Sequence, residues 1–195
     1  MAHVSWKPGT MVYPAPAVLV SCGSTCETAN IFTVAWTGTI CTNPAMLSIS
    51  VRPERHSYDI IRREMQCTVC LTTSTMARAT DWCGVRSGRQ YDKWKETGLT
   101  PVPGVNNSCF YVAESPLAIE CRVSDVIELG SHHMFIAQVL GVLADDRYID
   151  PDTGAFDLEA AALMAYSHGA YYALGERLGR FGFSVMQPSP KARQK

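Results

Sequence analysis

No stretch of these 195 residues is apolar for long enough to cross a bilayer as a helix, so no membrane span is expected. Residues 1–8 lack the charged head and apolar core of a secretory signal, and the expected compartment is therefore the cytoplasm, where thiols stay reduced. An excess of charge is missing too. The 17 Lys and Arg against 18 Asp and Glu leave a net charge of -1 with the basic residues dispersed, so nucleic acid is not an expected partner. No Gly-x-Gly-x-x-Gly opens a helix after a strand, which argues against a doubly wound dinucleotide fold. No motif for a catalytic nucleophile or triad is present either.

Cysteine is not scarce, but its pattern excludes more than it offers. Cys67 and Cys70 have redox or zinc spacing, yet their surroundings read as a strand, where residues three apart face opposite sides. No second Cys or His pair completes a metal site, so no metal is expected. Cys22 and Cys26 flank a turn and could approach each other. The general expectation is thiols acting as small buried hydrophobes.

What is present is short strands joined by turns. Residues 17–22 form an apolar strand, 23–29 a turn and 31–37 a return strand. Residues 46–52 alternate strictly, with Leu47, Ile49 and Val51 on one face and Ser48, Ser50 and Arg52 on the other. Pro53 ends that strand, and Ser57 stands near the start of a helix over 57–64, where free N–H groups favour a phosphate. Two readings of this segment stand: a phosphate-binding wall without a Gly-rich loop, or an ordinary half-exposed strand. A strand at 67–71 follows, then helices over 75–82 and 89–97. Residues 117–129 and 134–144 read as a long hairpin, and 158–166 and 171–178 as two C-terminal helices. Residues 1–187 are expected to form one domain with a C-terminal helical segment, followed by a polar tail at 188–195. Six or so strands with interspersed helices indicate a mainly β fold, a small closed or nearly closed barrel with helical additions.

An ordered set of motifs sharpens this. It runs Pro14-Ala-Pro16, Asn30 with Thr33-Val-Ala-Trp36, and Ser50-Val-Arg-Pro-Glu-Arg-His-Ser-Tyr58. It continues with Cys83-Gly-Val-Arg-Ser-Gly-Arg89, Asp92-Lys93, Thr97-Gly-Leu-Thr-Pro101, Gly130-Ser-His132 and Tyr171-Tyr-Ala-Leu-Gly175. Over residues 13–185 the chain thereby resembles the flavin reductase-like family, an FMN-binding split β-barrel, particularly its flavoredoxin branch. The resemblance implies FMN as cofactor, with its phosphate met by Arg52, Arg89 and Lys93 and by the hydroxyls of Ser57 and Ser87. It assigns Asn30, Thr33, Ser48 and Ser50 to the ribityl chain or ring edge, although Thr33 also suits strand packing. The main chain from Thr33 through Ala35 to Trp36 would meet the ring edge, and Trp36 would wall its pocket. His132, on the long hairpin's turn, would approach the flavin or its phosphate as a cofactor-binding residue, but Ser131 replaces the acid usual beside it, so any catalytic part would be auxiliary. His133 would be its exposed neighbour, and His168 would close the pocket or simply end a helix.

The implied activity is transfer of electrons from NADH or NADPH onto FMN and then to a flavin, metal or protein acceptor. Side-chain catalysis is not expected, because the cofactor carries the chemistry. The alternatives are a flavoredoxin-type electron carrier without direct nicotinamide activity, or a split-barrel binding module that holds no flavin. Split barrels of this kind usually pair, so the resemblance also implies a homodimer.

Overall fold

The computed structural model describes residues 1–186, so the polar tail expected at 188–195 lies outside the described residues. After the short strand β1 (Ala15–Pro16), the apolar run becomes β2 (Val18–Cys22), which returns as β3 (Asn30–Val34). Gly23 makes that return possible. Its φ is +92°, and a Cβ there would overlap the Thr28 carbonyl. Next come β4 (Thr37–Cys41), the alternating strand β5 (Met46–Val51) and helix α1 (His56–Glu64). Strand β6 (Gln66–Leu71) leads to α2 (Ala77–Val85) and α3 (Lys93–Thr97). The second half holds β7 (Pro101–Pro103), β8 (Phe110–Val112), the long hairpin β9 (Leu117–Glu128) and β10 (His133–Ala144), then β11 (Met164–Ser167) and β12 (Ala170–Ala173).

Seven strands form one antiparallel sheet in the order β3-β2-β6-β9-β10-β5-β4. Its edge strands, β3 and β4, are joined by only Ala35 and Trp36. A two-residue link between opposite edges forces the sheet to curl onto itself, and Ser50 N–H donates to the Trp36 carbonyl at 2.9 Å, which carries the β4–β5 pairing into the link. The result is a split β-barrel with helical additions. No helix among the described residues is long and apolar enough to cross a membrane.

Two cores explain the sequence pattern. Inside the barrel pack Val20, Ile49, Val51, Ile61, Cys67 and Phe135, while Leu19, Ile31, Cys70, Trp94 and Val112 pack outside it under α2, α3 and β8. Strand β2 is buried on both faces, so it reads as an unbroken apolar run, whereas β5 is buried on one and alternates. Each fully buried Leu, Ile or Phe stabilises the fold by about 1.5–3 kcal/mol. Cys67 enters the first core and Cys70 the second, as their strand spacing requires. All eight cysteines are free, six of them buried, and burial pushes the Cys22, Cys70 and Cys109 thiols up to about 12. The buried ones are inert thiols, and Cys22 (buried) and Cys26 (exposed) are not bonded to each other.

The C-terminal helices expected over 158–166 and 171–178 are absent. Residues 164–173 instead form the β11–β12 hairpin, in a separate sheet of order β1-β11-β12. Its two-residue turn, His168-Gly169, has positive φ at both positions (48° and 90°), the backbone sign that a tight hairpin turn matching strand twist needs. The expected helix over 89–97 shortens to α3, because the Asp92 side chain caps it by accepting from Lys95 N–H at 3.2 Å.

Candidate functional site

The end of β5, the start of α1 and the segment that follows α2 surround a recess of about 470 Å³. It opens into a wider-mouthed cavity of about 410 Å³, and Phe32, Thr33, Arg52, Arg55 and Gly84 line both, which makes them one groove.

The recess is cationic. Arg52, Arg55, Arg86, Arg89, Lys93 and His56 line it against one carboxylate, Glu54. Several of these side chains are fixed before any ligand arrives. The Arg55 guanidinium donates to the Gly84 carbonyl at 3.1 Å, and Arg89 donates to the Glu54 carbonyl at 2.8 Å with Asp59 at 3.9 Å. Together they tie the start of α1 to the loop after α2. Lys93, at the start of α3, is only 4% exposed and donates to the Cys83 carbonyl at 2.7 Å. Burial pulls its ammonium down to about 8, with the Arg55 charge adding to the effect. His56 is held below its ordinary value by burial and by the charges of Arg89 and Lys93. Behind them Asn30 donates to the buried Ser57 hydroxyl at 2.7 Å, and the first turn of α1 offers N–H groups with no intrahelical acceptor.

The wider cavity is aromatic. Trp36 lies against His132 with ring centroids 4.4 Å apart. Burial and the nearby Arg52 charge hold His132 below its ordinary value, and Ser131 Oγ meets its Nδ1 at 3.0 Å where an acid could have stood. Tyr13, Tyr166, Tyr171 and Asp81 line the cavity as well.

The structure brings most of the sequence-derived residues together. Asn30, Thr33, Arg52, Ser57, Ser87, Arg89 and Lys93 line the recess; Thr33, Ala35, Trp36, Ser50, Arg52 and His132 line the wider cavity. Ser48 lines neither, and its carbonyl accepts from the Thr37 hydroxyl at 2.7 Å. The Thr33 hydroxyl is committed to the Thr80 carbonyl, where it latches α2 onto the barrel. His133 is not the exposed neighbour expected: it is half-buried and shares a 2.7 Å hydrogen bond with the Tyr58 hydroxyl. His168 sits on the β11–β12 turn rather than at a helix end, with its ring edge-on to Tyr13 at 5.9 Å.

Additional site residues emerge only in three dimensions. Arg55 and His56 stand at the start of α1, within one turn of Arg52, and Arg86 and Gly88 fall inside the Cys83–Arg89 motif, so proximity was their one signal in the sequence. Tyr13, Asp81 and Tyr166 carry no local signal at all.

A family model described as Flavin reductase like domain matches residues 10–175. An uncharacterized protein of Archaeoglobus fulgidus is 25% identical over 158 residues, which cover 81% of this chain and 86% of the relative. Among solved structures, flavoredoxin of Desulfovibrio vulgaris (Miyazaki F) is similar with a TM-score of 0.87 and 30% identity, over 95% of this chain and 100% of that one. An FMN-binding protein from Thermus thermophilus, solved with bound 1-cyclohex-2-enone, shares the fold at a TM-score of 0.77 and 18% identity, over 92% of this chain and 99% of that one.

Proposed function

Because this chain belongs to the flavin reductase like domain family, we propose that it is an FMN-dependent oxidoreductase that draws electrons from NADH or NADPH and passes them to a flavin, metal or protein acceptor. The observation that carries the reading is a cationic recess continuous with an aromatic cavity, the donor set that a phosphate joined to a flat ring calls for.

The residues fit the cofactor. Arg52, Arg89 and Lys93 would hold the phosphate, with the Ser57 and Ser87 hydroxyls and the first turn of α1 as further donors. Asn30 and Ser50 would face the polar chain, and the main chain from Thr33 to Trp36 the ring edge, with Trp36 and His132 as a wall. FMN supplies hydride acceptance and electron release when bound. The protein's own work is to bind, orient and shield. Arg55 and Arg89 brace the recess through main-chain carbonyls, Lys93 supplies a charge from a desolvated position, and the paired Trp36 and His132 rings limit the cavity on one side. The eight free thiols suit a reducing compartment, and the cytoplasm is the proposed one.

A second reading, electron carriage without direct nicotinamide activity, is supported by the likeness to a flavoredoxin at 30% identity. One experiment separates the two. The purified protein is expected to show flavin absorbance that bleaches on anaerobic addition of NADH or NADPH. Bleaching with dithionite alone would favour the carrier, and a colourless protein that takes up no FMN would leave only a non-flavin barrel.

The chain is further proposed to form a homodimer. Trp6, Val12, Leu174, Leu178, Phe181 and Phe183 leave large apolar side chains exposed at the two ends of the described chain, surface that a second copy would cover. Sedimentation at micromolar concentration is expected to give twice the chain mass, and a monomer there would refute the dimer.

A further inference from the structure

One wall of the wider cavity is built from residues that the cofactor assignment does not employ. Tyr166 on β11 and Tyr171 on β12 are register partners with ring centroids 5.5 Å apart, and Tyr13 meets Tyr166 edge-on at 6.1 Å. From α2 comes Asp81, whose Oδ1 accepts from the Tyr171 hydroxyl at 3.3 Å. Asp81 is the one carboxylate on this cavity among the described residues, and neither it nor any of these tyrosines lines the recess. Charge is therefore segregated along the groove. Arg52 and Arg55 belong to the part shared with the recess, and an anion belongs to the part that is not.

Hydrogen-bond accounting gives this wall a definite polarity. A phenol has a single proton, and Tyr171 commits it to Asp81. Burial and the Asp81 charge push the Tyr171 phenol up to about 12, so that proton stays in place at neutral pH. What remains for a ligand is acceptors: the second carboxylate oxygen, which has no partner among the described residues, and the lone pairs of the phenol oxygen. An acceptor-only edge set among tyrosine rings favours N–H donors and cations, and it repels a carboxylate placed against it.

We propose that the Asp81–Tyr171 edge is a substrate-recognition subsite, which accepts a flat ring bearing an amide, amine or amidinium group and discriminates against the same ring bearing a carboxylate. The subsite rests on the flavin reading only for what the bound ring would react with, and its recognition chemistry is independent of it.

The test is calorimetric titration of the protein, both FMN-loaded and FMN-free, with benzamide, benzamidine and benzoate. Flavin content and melting temperature are measured for every variant. Benzamide and benzamidine are expected to bind at least tenfold more tightly than benzoate. Asp81→Asn should reduce that preference about tenfold, most strongly for benzamidine, whereas Tyr171→Phe, which retains the carboxylate, should preserve a preference over benzoate. Equal binding of benzoate and benzamide, an unchanged ratio in folded Asp81→Asn, or no binding of any of the three to either form would each overturn the subsite. A protein that takes up no FMN would refute the flavin reading, and the FMN-free titration would still decide the subsite.

Discussion

Gly88→Ala is expected to lower FMN affinity at least a hundredfold while the barrel stays folded, because residue 88 has no room for a side chain. A Cβ there would overlap Asn30 Oδ1 and come within 2.8 Å of both Asn30 Cγ and His56 Cδ2. Asn30 cannot easily give way. It is 5% exposed and bonded to Ser57 at 2.7 Å, itself buried at the first turn of α1. The loop after α2 must lift instead, carrying Ser87 and Arg89 away from the recess and straining the Arg89 bond to the Glu54 carbonyl. A hundredfold loss is about 2.7 kcal/mol, the worth of one or two charge-assisted hydrogen bonds. Fluorescence titration with FMN reads the affinity, and circular dichroism shows whether the fold survives. Unchanged affinity would mean that this loop does not form the cofactor's wall.

Lys93→Met is expected to stabilise the FMN-free protein at pH 7 and to weaken its hold on FMN. Burial lowers the Lys93 pKa from 10.5 to about 8, so the folded state disfavours the charge that the unfolded chain carries freely. The sign follows from proton counting. Below about pH 8 both states hold the proton and the full penalty of burying it weighs on the fold. Between about 8 and 10.5 the unfolded chain binds the proton that the folded one has released, so wild-type stability rises relative to the variant. Methionine removes the penalty and also the bond to the Cys83 carbonyl, leaving a net gain of roughly 1–3 kcal/mol at pH 7 that shrinks toward pH 10. The cofactor is expected to show the opposite preference. If the phosphate is held by the charged lysine, wild-type affinity should fall about tenfold between pH 7 and 9 through this titration, whereas the variant is weaker and flat. Denaturant melts and FMN titrations at both pH values check the pair. Parallel pH dependence in the two proteins would remove Lys93 from the phosphate site.

The parts of this fold that were legible in the sequence are those whose pattern depends on local geometry. Alternation in Met46–Val51 predicts a strand with one buried face, and the polar face of that strand does present Ser50 and Arg52 to the groove. The opposite faces of Cys67 and Cys70 follow from strand geometry alone. The phosphate candidates were legible for the same reason, since Arg52 and Ser57 lie near one strand end, and Ser87, Arg89 and Lys93 within one short loop and helix start. Ser48 shows the limit of such reasoning. It shares the polar face with Ser50, but face does not determine how far along the strand the groove reaches.

The C-terminal segment departs from its sequence expectation because its state is decided elsewhere. Ala-rich residues before Met164 favour a helix by propensity, yet Ala165 and Tyr166 pair with Pro16 and Ala15, some 150 residues away in the chain. Tertiary pairing overrides a weak local preference, and the one local cue was the His168-Gly169 turn between two short runs with strand character. That single misassignment also hid the tyrosine wall of the cavity, since Tyr13, Tyr166 and Tyr171 come together only through this sheet.

By itself the sequence determined the antiparallel β character, the core face of each alternating strand, the burial of most thiols and the positive charge near the start of α1. All of these follow from side-chain periodicity, burial and the chemistry of neighbouring residues. Only the tertiary structure decided that the barrel closes through Ala35 and Trp36, that the recess and the aromatic cavity are one groove, and that Asp81 meets Tyr171 on one wall of it. Those facts depend on contacts between residues tens to more than a hundred positions apart, whose closure is set by the packing of the whole sheet and not by any local preference.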